Sequence, residues 1–410
     1  MKGRLTMRYI LIVILMMLMY GCSNDSEEGV YTLEEDMGKI GDIIGDHDVV
    51  LISEPTHASA DLNKVSIDLI NNLNKEKEYN IVGLETSTTE LEYYLDYSTN
   101  ASLDTIRNES VMEKYRTEKF TQLYENHYND ALDFTLKGIN WLPVTYSSPT
   151  FNTLLLEDIY SDIEIYDLNH ATAFKNIEID LRRFTTDVIY GESESINYDL
   201  TEKYLNVYRM IANSDYYSSL EKGTQYVIES RISLLNGPLS CDYLEGYTIH
   251  DSYQEYYSRR GKGMFETVES LVEEGNKVIV WVHNWHALRA PQSVDVLSEE
   301  WKNVLTTDHY SLGYHLAQSD LDTFSIGMVF NEAKNFTSFY LNNENLEKIT
   351  DESFLEGKLS TYNKEQIFIE LNQNPDMDET YVAYDEGFIK YELVPTEQFD
   401  ALIYLDSIME

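Results

Sequence analysis

Cysteine and basic residues are scarce in this chain of 410 residues, and both shortages exclude classes of protein. There are only 2 cysteines, Cys22 and Cys241, so neither a disulfide framework nor a cysteine-rich metal site is available. Lysine and arginine total 30 against 72 acidic residues, which gives a formal net charge of -42. Such a negative surface disfavours nucleic acid and anionic membrane faces, and it keeps an exported protein in solution.

Proline and glycine are also sparse, with 7 and 19 residues. No linker-like run, internal repeat or low-complexity segment follows the N-terminal region, which favours one large domain. The chain lacks the GxSxG elbow of serine α/β-hydrolases and the P-loop and GxGxxG motifs of nucleotide-binding proteins. A serine nucleophile of that type and a phosphate-cradling loop are therefore not indicated.

The N-terminus has the features of a bacterial lipoprotein signal. A basic start precedes an apolar run at residues 9–20, which is too short to span a bilayer comfortably, and the run ends at Gly21 and Cys22. We expect a signal peptide at residues 1–21, a lipid on Cys22 and a flexible tether at residues 22–35. The alternative is an ordinary secretory signal or an uncleaved anchor. The expected location is the bacterial cell envelope, with the lipid as the contact with the membrane.

Polar side chains follow two apolar segments that are typical of buried strands. Residues 49–57, VVLISEPTH, begin as an apolar run and end with Glu54 and His57 before a helical pattern. Residues 81–85, IVGLE, end with Glu85. In open parallel α/β sheets, ligands bind at the carboxyl ends of the strands. These three side chains are therefore candidates for a functional site.

A later segment repeats this design. Residues 277–286, KVIVWVHNWH, form an apolar strand that ends with His283, Asn284 and His286. Two predicted strands that each have histidine at or just after the carboxyl end are the strongest functional signal in the sequence. The remaining histidines of the mature chain are interpreted as structural: His47, His127, His170, His250, His309 and His315.

The order of these elements predicts an α/β fold. We expect three layers, with a mostly parallel sheet between helices, in one domain at residues 36–410. Residues 151–237 are mostly helical by period, which predicts a large helical insertion or cap over the sheet. Asp385-Glu386-Gly387 is a turn signal and predicts a hairpin. Further strands are predicted at residues 134–140, 277–282, 324–329, 365–371, 381–384, 389–393 and 401–405.

The chemistry of the candidate residues suits attack of water on a carbonyl. Histidine accepts a proton at physiological pH, and Glu54 lies three residues before His57, close enough to orient its ring. Glu85 and His283 would complete the site, and Arg260 would stabilise an oxyanion or bind a carboxylate. The same set is also compatible with zinc, although the HNWH segment lacks the glutamate and the helix of an HExxH site.

These segments resemble the motifs of the erythromycin esterase family. The family's G-E-x-T-H-G segment after a strand is similar to residues 53–58, SEPTHA, and its second strand ends in glutamate, as at Glu85. Its W-x-H-N-x-H segment is similar to residues 281–286, WVHNWH. Its helical R-D-x-x-M-x-E-N segment resembles residues 260–267, RGKGMFET. The resemblance runs from about Asp42 to the end of the chain.

The resemblance implies hydrolysis of a carboxylic ester, in the best-known members the macrolactone of a macrolide antibiotic. His57 would be the general base that activates water, and Glu54 would support it. Glu85, His283 and His286 would complete the pocket. The resemblance implies neither a covalent enzyme intermediate nor an obligatory cofactor, and a bound divalent metal stays an open alternative.

The chain departs from the family pattern where substrate would be held. The family's basic residue nine positions after the histidine is Ser66 here, and Lys64 is shifted by two residues to another face of the helix. Asn140 and Gly261 each stand where the family has aspartate. The candidate substrate-binding residues are His286, Lys64 and Asn284.

Three functions are consistent with the sequence. The first is a hydrolase that cleaves a small-molecule ester or lactone, with macrolide inactivation and antibiotic resistance as its biological outcome. The second is a surface lipoprotein that binds a small ligand without turnover. The third is a metal-dependent hydrolase that uses the same histidines and glutamates. None of the three involves nucleic acid.

Overall fold

The computed structural model describes residues 29–57, 59–110, 117–129, 133–143, 153–189, 196–302, 309–336 and 344–409. The predicted signal peptide and Cys22 lie outside these residues. The described strands are β1 (Val30–Thr32), β2 (Val49–Glu54), β3 (Ile81–Ser87), β4 (Thr135–Asn140), β5 (Val278–His283), β6 (Asp295–Val296), β7 (Thr323–Phe336), β8 (Glu344–Leu346), β9 (Gln366–Glu370), β10 (Tyr381–Asp385), β11 (Ile389–Leu393) and β12 (Ala401–Met409).

The α-helices follow the same chain order. They are α1 (Leu33–Ile44), α2 (Ala60–Lys77), α3 (Thr88–Glu92), α4 (Leu103–Ser110), α5 (Glu118–Tyr128), α6 (Leu154–Glu164), α7 (Leu168–Ile189), α8 (Tyr198–Ala212), α9 (Lys222–Asn236), α10 (Ser252–Glu273), α11 (Asn284–Ala287), α12 (Leu312–Gln318), α13 (Leu355–Ser360) and α14 (Pro395–Gln398). Within the described ranges, no helix is both long enough and apolar enough to cross a membrane.

Nine of the described strands form one sheet in the order β1-β9-β12-β7-β2-β5-β3-β4, with β8 paired to β7. The six strands from β12 to β4 along this order run parallel. Antiparallel pairing is confined to β1, β8 and β9. The mostly parallel α/β sheet predicted from the sequence is therefore confirmed. A second, antiparallel sheet has the order β10-β11-β6.

The central strands are buried on both faces. Every residue of β2, β3 and β5 is buried, which suits strands covered by helices on each side. Because successive side chains of a strand point to opposite faces, Val50 and Ile52 join one hydrophobic cluster, while Val49 and Leu51 join the other. This arrangement is the predicted three-layer architecture.

The helical insertion is present between β4 and β5 and contains α6 to α9. Polar side chains fix where its helices begin: Thr153 accepts a hydrogen bond from the backbone N–H of Leu156, and Asn197 accepts one from Leu200. Apolar side chains spaced three and four residues apart face the larger hydrophobic cluster, as the sequence period predicted.

A buried ion cluster joins this insertion to the segment that follows β3. Arg182 of α7 contacts Glu90 at 2.8 Å and Glu178 at 3.1 Å, and Arg231 of α9 contacts Glu90 at 2.7 Å and Glu178 at 2.8 Å. All four side chains are at most 1% exposed. Burial alone would raise the pKa of Glu178, but the two guanidinium groups outweigh it and lower that pKa to about 2. The hydroxyl of Tyr208 also donates to Glu178 at 2.6 Å.

The N-terminal tether is shorter than expected. Residues 30–35 were expected to be flexible, but Val30–Thr32 pairs with β9 at the edge of the sheet and Leu33 begins α1. Val30 and Leu33 are buried, and covering these apolar side chains outweighs the polar composition of the surrounding segment.

Candidate active site

Three neighbouring strands of the sheet bring the predicted polar residues together. In the order β2-β5-β3, Glu54 ends β2, His283 ends β5 and Glu85 lies near the end of β3. Glu54 and His283 are direct register partners. The strands are parallel, so their carboxyl ends meet at one edge of the sheet. The expected convergence of these three residues is therefore present.

His57 lies between two carboxyl groups. Its Nδ1 atom is 2.9 Å from Oε1 of Glu54, and its Nε2 atom is 3.5 Å from Oε2 of Glu85. The imidazole is only 1% exposed. The first distance is that of a good hydrogen bond, and the second is longer than one. Glu54 therefore fixes the ring, and Nε2 is the nitrogen directed into the site.

The carboxylate of Glu85 is surrounded by donors. Arg260 of α10 donates to its Oε1 atom, the Nε2 atom of His286 lies 3.4 Å from the same oxygen, and the backbone N–H of His283 donates to Oε2 at 2.9 Å. Burial would raise the pKa of Glu85, but the positive charges of His286, Arg260 and His57 hold it well below its usual value. The neighbours of Glu85 thus favour its ionised form.

Glu54 lies in the opposite electrostatic environment. It is fully buried, and burial, reinforced by the negative charge of Glu85, raises the pKa of Glu54 well above its usual value. The side-chain amide of Asn63 reaches its Oε2 atom at 3.5 Å, and the hydroxyl of Thr117 donates to Asn63 in turn. Two carboxyl groups whose pKa values move apart around one imidazole are typical of sites that move protons.

His283 has carboxylate neighbours of its own. Its Nε2 atom is 3.5 Å from Oδ1 of Asp385 and 3.7 Å from Oε1 of Glu386. Its Nδ1 atom accepts a hydrogen bond from the backbone N–H of Trp285 at 3.4 Å, and the indole N–H of Trp285 donates to Asp385 at 2.7 Å. The rings of His283 and His57 meet edge to face with centroids 5.1 Å apart. The site therefore contains two adjacent histidine–carboxylate pairs.

The turn that supplies Asp385 and Glu386 was predicted as a hairpin but not as part of the site. Glu386 has a φ of +49°, a left-handed conformation that is uncommon outside glycine. Its backbone N–H donates to the carbonyl oxygen of Pro55 at 3.0 Å, which ties the hairpin to the loop before His57. The residue with the left-handed conformation is therefore the one whose backbone connects the smaller sheet to the loop that follows β2.

The predicted substrate-binding residues have different positions. His286 joins the cluster through Glu85, and Asn284 lies beside it, with its amide donating to the backbone oxygen of Met328 at 3.0 Å. Lys64 is not brought to the cluster, because its side chain is 54% exposed and its ammonium group pairs with Asp68 at 3.0 Å. Ser66 is fully buried and its hydroxyl faces the sulfur of Met328 at 3.9 Å, so this position supplies no cation.

The two aspartate positions of the family pattern are also explained by packing. At Gly261, an added Cβ would come within 2.2 Å of the backbone oxygen of Tyr310, so α10 is in direct contact with the segment before α12. An aspartate does not fit there without movement of the backbone. Asn140 ends β4, and its side-chain oxygen accepts a hydrogen bond from the backbone N–H of Leu142 at 3.3 Å. Both departures are therefore built into the local structure.

Among the residues that the structure describes, no three histidine, cysteine, aspartate or glutamate side chains are placed to hold one metal ion together. Cys241 is exposed.

Comparison with known proteins gives a match to one family model over part of the chain and a likeness of fold over most of it. Residues 215–408 match the family model described as erythromycin esterase, a range that contains α10, β5 and the hairpin β10–β11, whereas Glu54, His57 and Glu85 precede it. No curated protein sequence matches the chain.

Several solved structures share the fold. A succinoglycan biosynthesis protein has a TM-score of 0.63 at 13% identity, over 92% of this chain and 91% of that chain. A protein from Bacillus cereus has a TM-score of 0.61 at 16% identity, over 92% and 93%. A mutant of an erythromycin esterase in its open conformation has a TM-score of 0.57 at 17% identity, over 90% and 93%. The erythromycin esterase resemblance indicated by the strand-end motifs is thus confirmed over residues 215–408, and the likeness of fold extends over nine-tenths of the chain.

Proposed function

We propose that this protein hydrolyses a small-molecule carboxylic ester or lactone, with His57 as the general base. The observation that carries the proposal is the position of His57 between Glu54 and Glu85 at the carboxyl ends of adjacent parallel strands. The family match supports a hydrolase. Macrolides are the first substrates to test, and macrolide inactivation with antibiotic resistance is the biological role that we propose with them.

In the proposed mechanism, His57 and its two glutamate neighbours each have a role. A water molecule beside Nε2 of His57 gives its proton to that nitrogen while its oxygen forms a bond to the ester carbonyl carbon. Glu54 holds the ring in place through Nδ1, and the ionised Glu85 stabilises the imidazolium that results. Collapse of the tetrahedral intermediate breaks the bond to the alkoxy oxygen, which takes the proton back from His57. The products are a carboxylic acid and an alcohol.

The remaining residues of the site position these groups. Arg260 is engaged with Glu85, so its first task is to keep that carboxylate ionised. Asp385 and Glu386 hold the ring of His283 next to His57. His286 lies beside the same oxygen of Glu85 as Arg260. We propose that His286 and Asn284 line the surface on which the substrate lies.

The test is mass spectrometry of a panel of esters and lactones, including erythromycin, after incubation with the protein from Ser23 onward. We expect a gain of one water by at least one panel member, and a loss of roughly 100-fold or more in rate for His57→Ala. The matched control is His47→Ala, which removes a partly exposed histidine that pairs with Asp322 outside the site. Equal rates for the wild type and His57→Ala would reject the assignment of the base.

A binding protein without turnover is the second candidate. It is favoured by Ser66, which packs against Met328 where the family has a basic residue. Calorimetry with the same panel distinguishes the two functions, because tight binding with no product from any member would favour the binding protein. Adding zinc to the assays and measuring bound metal in untagged protein tests the metal-dependent alternative, which predicts a zinc-dependent rate.

We further propose that the chain is exported and anchored to the cell envelope by a lipid on Cys22. The support is the sequence of residues 1–28. Mass spectrometry of the mature N-terminus, with Cys22→Ala as the comparison, is the direct test. A lipid-modified cysteine at the first position of the mature protein is expected, and an unmodified N-terminus would reject the anchor.

A further inference from the structure

Ester hydrolysis places a negative charge on the carbonyl oxygen, and the charged donors of the site already face carboxylates. The guanidinium group of Arg260 donates to Glu85, and Nε2 of His286 lies 3.4 Å from the same carboxylate. The ammonium group of Lys64 pairs with Asp68 at the surface. A donor for the developing oxyanion must therefore come from another residue or from a rearrangement of these pairs.

Tyr257 lies at the place where such a donor is needed. It precedes Arg260 by three residues on α10, so the two side chains project from the same face of the helix. The centroid of its ring is 6.4 Å from that of His286 and 5.5 Å from that of His309. The side chain is half-buried, at the edge of the cluster rather than within the hydrophobic core. A substrate that lies on His286 therefore also meets Tyr257.

The hydroxyl of Tyr257 has the chemistry of a donor. It makes no hydrogen bond with any residue that the structure describes, whereas most buried tyrosine hydroxyls find a partner. Burial raises the pKa of Tyr257, the positive charge of Arg260 opposes this rise, and the negative charges of Glu85 and Asp385 add to it. The phenol therefore keeps its proton at neutral pH and has it to donate.

We propose that Tyr257 is a catalytic residue that donates a hydrogen bond to the carbonyl oxygen of the ester. The proposal rests on the hydrolase function and adds the group that stabilises its transition state. As the water oxygen bonds to the carbonyl carbon and its proton passes to His57, the electron pair of the C=O bond moves to oxygen. The Tyr257 O–H contacts that oxygen without giving up its proton. When the pair returns, the C–O bond to the leaving alcohol breaks.

The experiment compares the wild type, Tyr257→Phe and His57→Ala on the panel ester that is cleaved fastest. Loss of one oxyanion donor lowers kcat by roughly 100–1,000-fold, and we expect this loss in Tyr257→Phe with KM changed by less than about threefold. The second readout is the binding of a phosphonate analogue of the ester, which carries the oxyanion permanently. We expect the dissociation constant of the phosphonate to rise at least about tenfold in Tyr257→Phe.

The matched control is Tyr256→Phe, which removes a hydroxyl from the neighbouring position of α10, where the ring packs into the hydrophobic cluster. Its kcat should stay within about twofold of the wild type. A wild-type kcat in Tyr257→Phe, with phosphonate binding unchanged, would overturn the role of Tyr257 while leaving the hydrolase in place. No turnover and no phosphonate binding by the wild type would reject both proposals together.

Discussion

Two buried clusters of charge each include a glutamate from the segment that begins at β3, and they differ in the cations that they contain. In the helical insertion, Glu90 and Glu178 face Arg182 and Arg231. A guanidinium group keeps its charge at every pH at which proteins fold. With two acids and two arginines, the charge of this cluster is balanced and fixed.

The cluster at the strand ends also contains two glutamates, but its cations are mainly histidines. Glu54 and Glu85 face His57 and His286, with Arg260 as the permanent cation. Imidazole gains and loses its proton near neutral pH. The charge of this cluster therefore changes with its protons. Equally buried clusters thus form a structural contact in one place and a candidate site for proton transfer in the other.

The largest expected effect is on the fixed cluster. Arg231→Met leaves Glu178 and Glu90 buried with one cation fewer, and removal of one partner of a buried pair costs roughly 3–5 kcal/mol of unfolding free energy. Urea unfolding measures this loss. The control is Arg183→Met, because Arg183 is 57% exposed and its pair with Asp180 contributes less than about 1 kcal/mol. Equal losses in both variants would contradict the structural role of the cluster.

A lone buried carboxyl group sharpens the comparison. Glu356 is 1% exposed, and one of its oxygens accepts a hydrogen bond from the backbone N–H of Tyr384 at 2.8 Å. Burial raises the pKa of Glu356 to about 7 from its usual 4.5. The folded state therefore binds more protons than the unfolded state between these two pH values. The contribution of Glu356 to the unfolding free energy is fully present below about pH 4.5 and is lost as pH rises to about 7.

Glu356→Gln keeps the acceptor for Tyr384 but cannot ionise. Between pH 4.5 and 8, we expect the unfolding free energy of this variant to change by about 3 kcal/mol less than that of the wild type. Urea titrations across this range measure the difference, with the exposed Glu352→Gln as the control. A pH dependence identical to that of the wild type would show that Glu356 ionises normally in the folded protein.

In the titratable cluster, loss of a carboxylate should affect activity more than stability. Glu85→Gln keeps one acceptor oxygen for Arg260 but replaces the oxygen that accepts from the N–H of His283 with an NH2 group. His57 and His286 are favoured in their neutral forms once the negative charge is gone. We expect a loss of about 1 kcal/mol in unfolding free energy and of about 100-fold in kcat. Glu76→Gln at the surface serves as the control. A stability loss as large as that of Arg231→Met would remove the distinction between the clusters.

The smallest effect concerns the support of Glu54. Asn63→Ala removes a donor that stabilises the Glu54 carboxylate, so the pKa of Glu54 should rise further. The acidic limb of the kcat/KM profile should then move to higher pH, with about a tenfold loss of activity at neutral pH. The same profile is measured for Asn71→Ala, an exposed position on α2. A loss of activity without a shift of the acidic limb would assign Asn63 a packing role only.

The sequence predicted those parts of the molecule that depend on a local pattern of residues. The apolar runs before Glu54, Glu85 and His283 are strands, and their carboxyl ends meet because parallel strands share one direction. The helical insertion followed from its period. Each of these features depends on residues within about ten positions of one another.

Contacts between distant segments could not be predicted in this way. Asp385 and Glu386 reach His283 from a second sheet, and their turn signal shows only that the chain reverses there. Arg182 and Arg231 lie on helices whose charged residues normally face solvent. Only their contacts with Glu90 and Glu178 in the folded protein show that these two are buried. The sequence alone carries no local signal for either arrangement.

The glycine at position 261 has a consequence for how this chain can change. Its missing side chain allows α10 to touch the backbone of Tyr310, and α10 carries both Arg260 and Tyr257. Mutation of Gly261 to the aspartate of the family pattern would force the helix away from this neighbour and move both side chains with it. Reversal of that single step would therefore require a second change in the segment before α12. The order in which substitutions can accumulate at this candidate active site is thus constrained by a residue outside its set of titratable side chains.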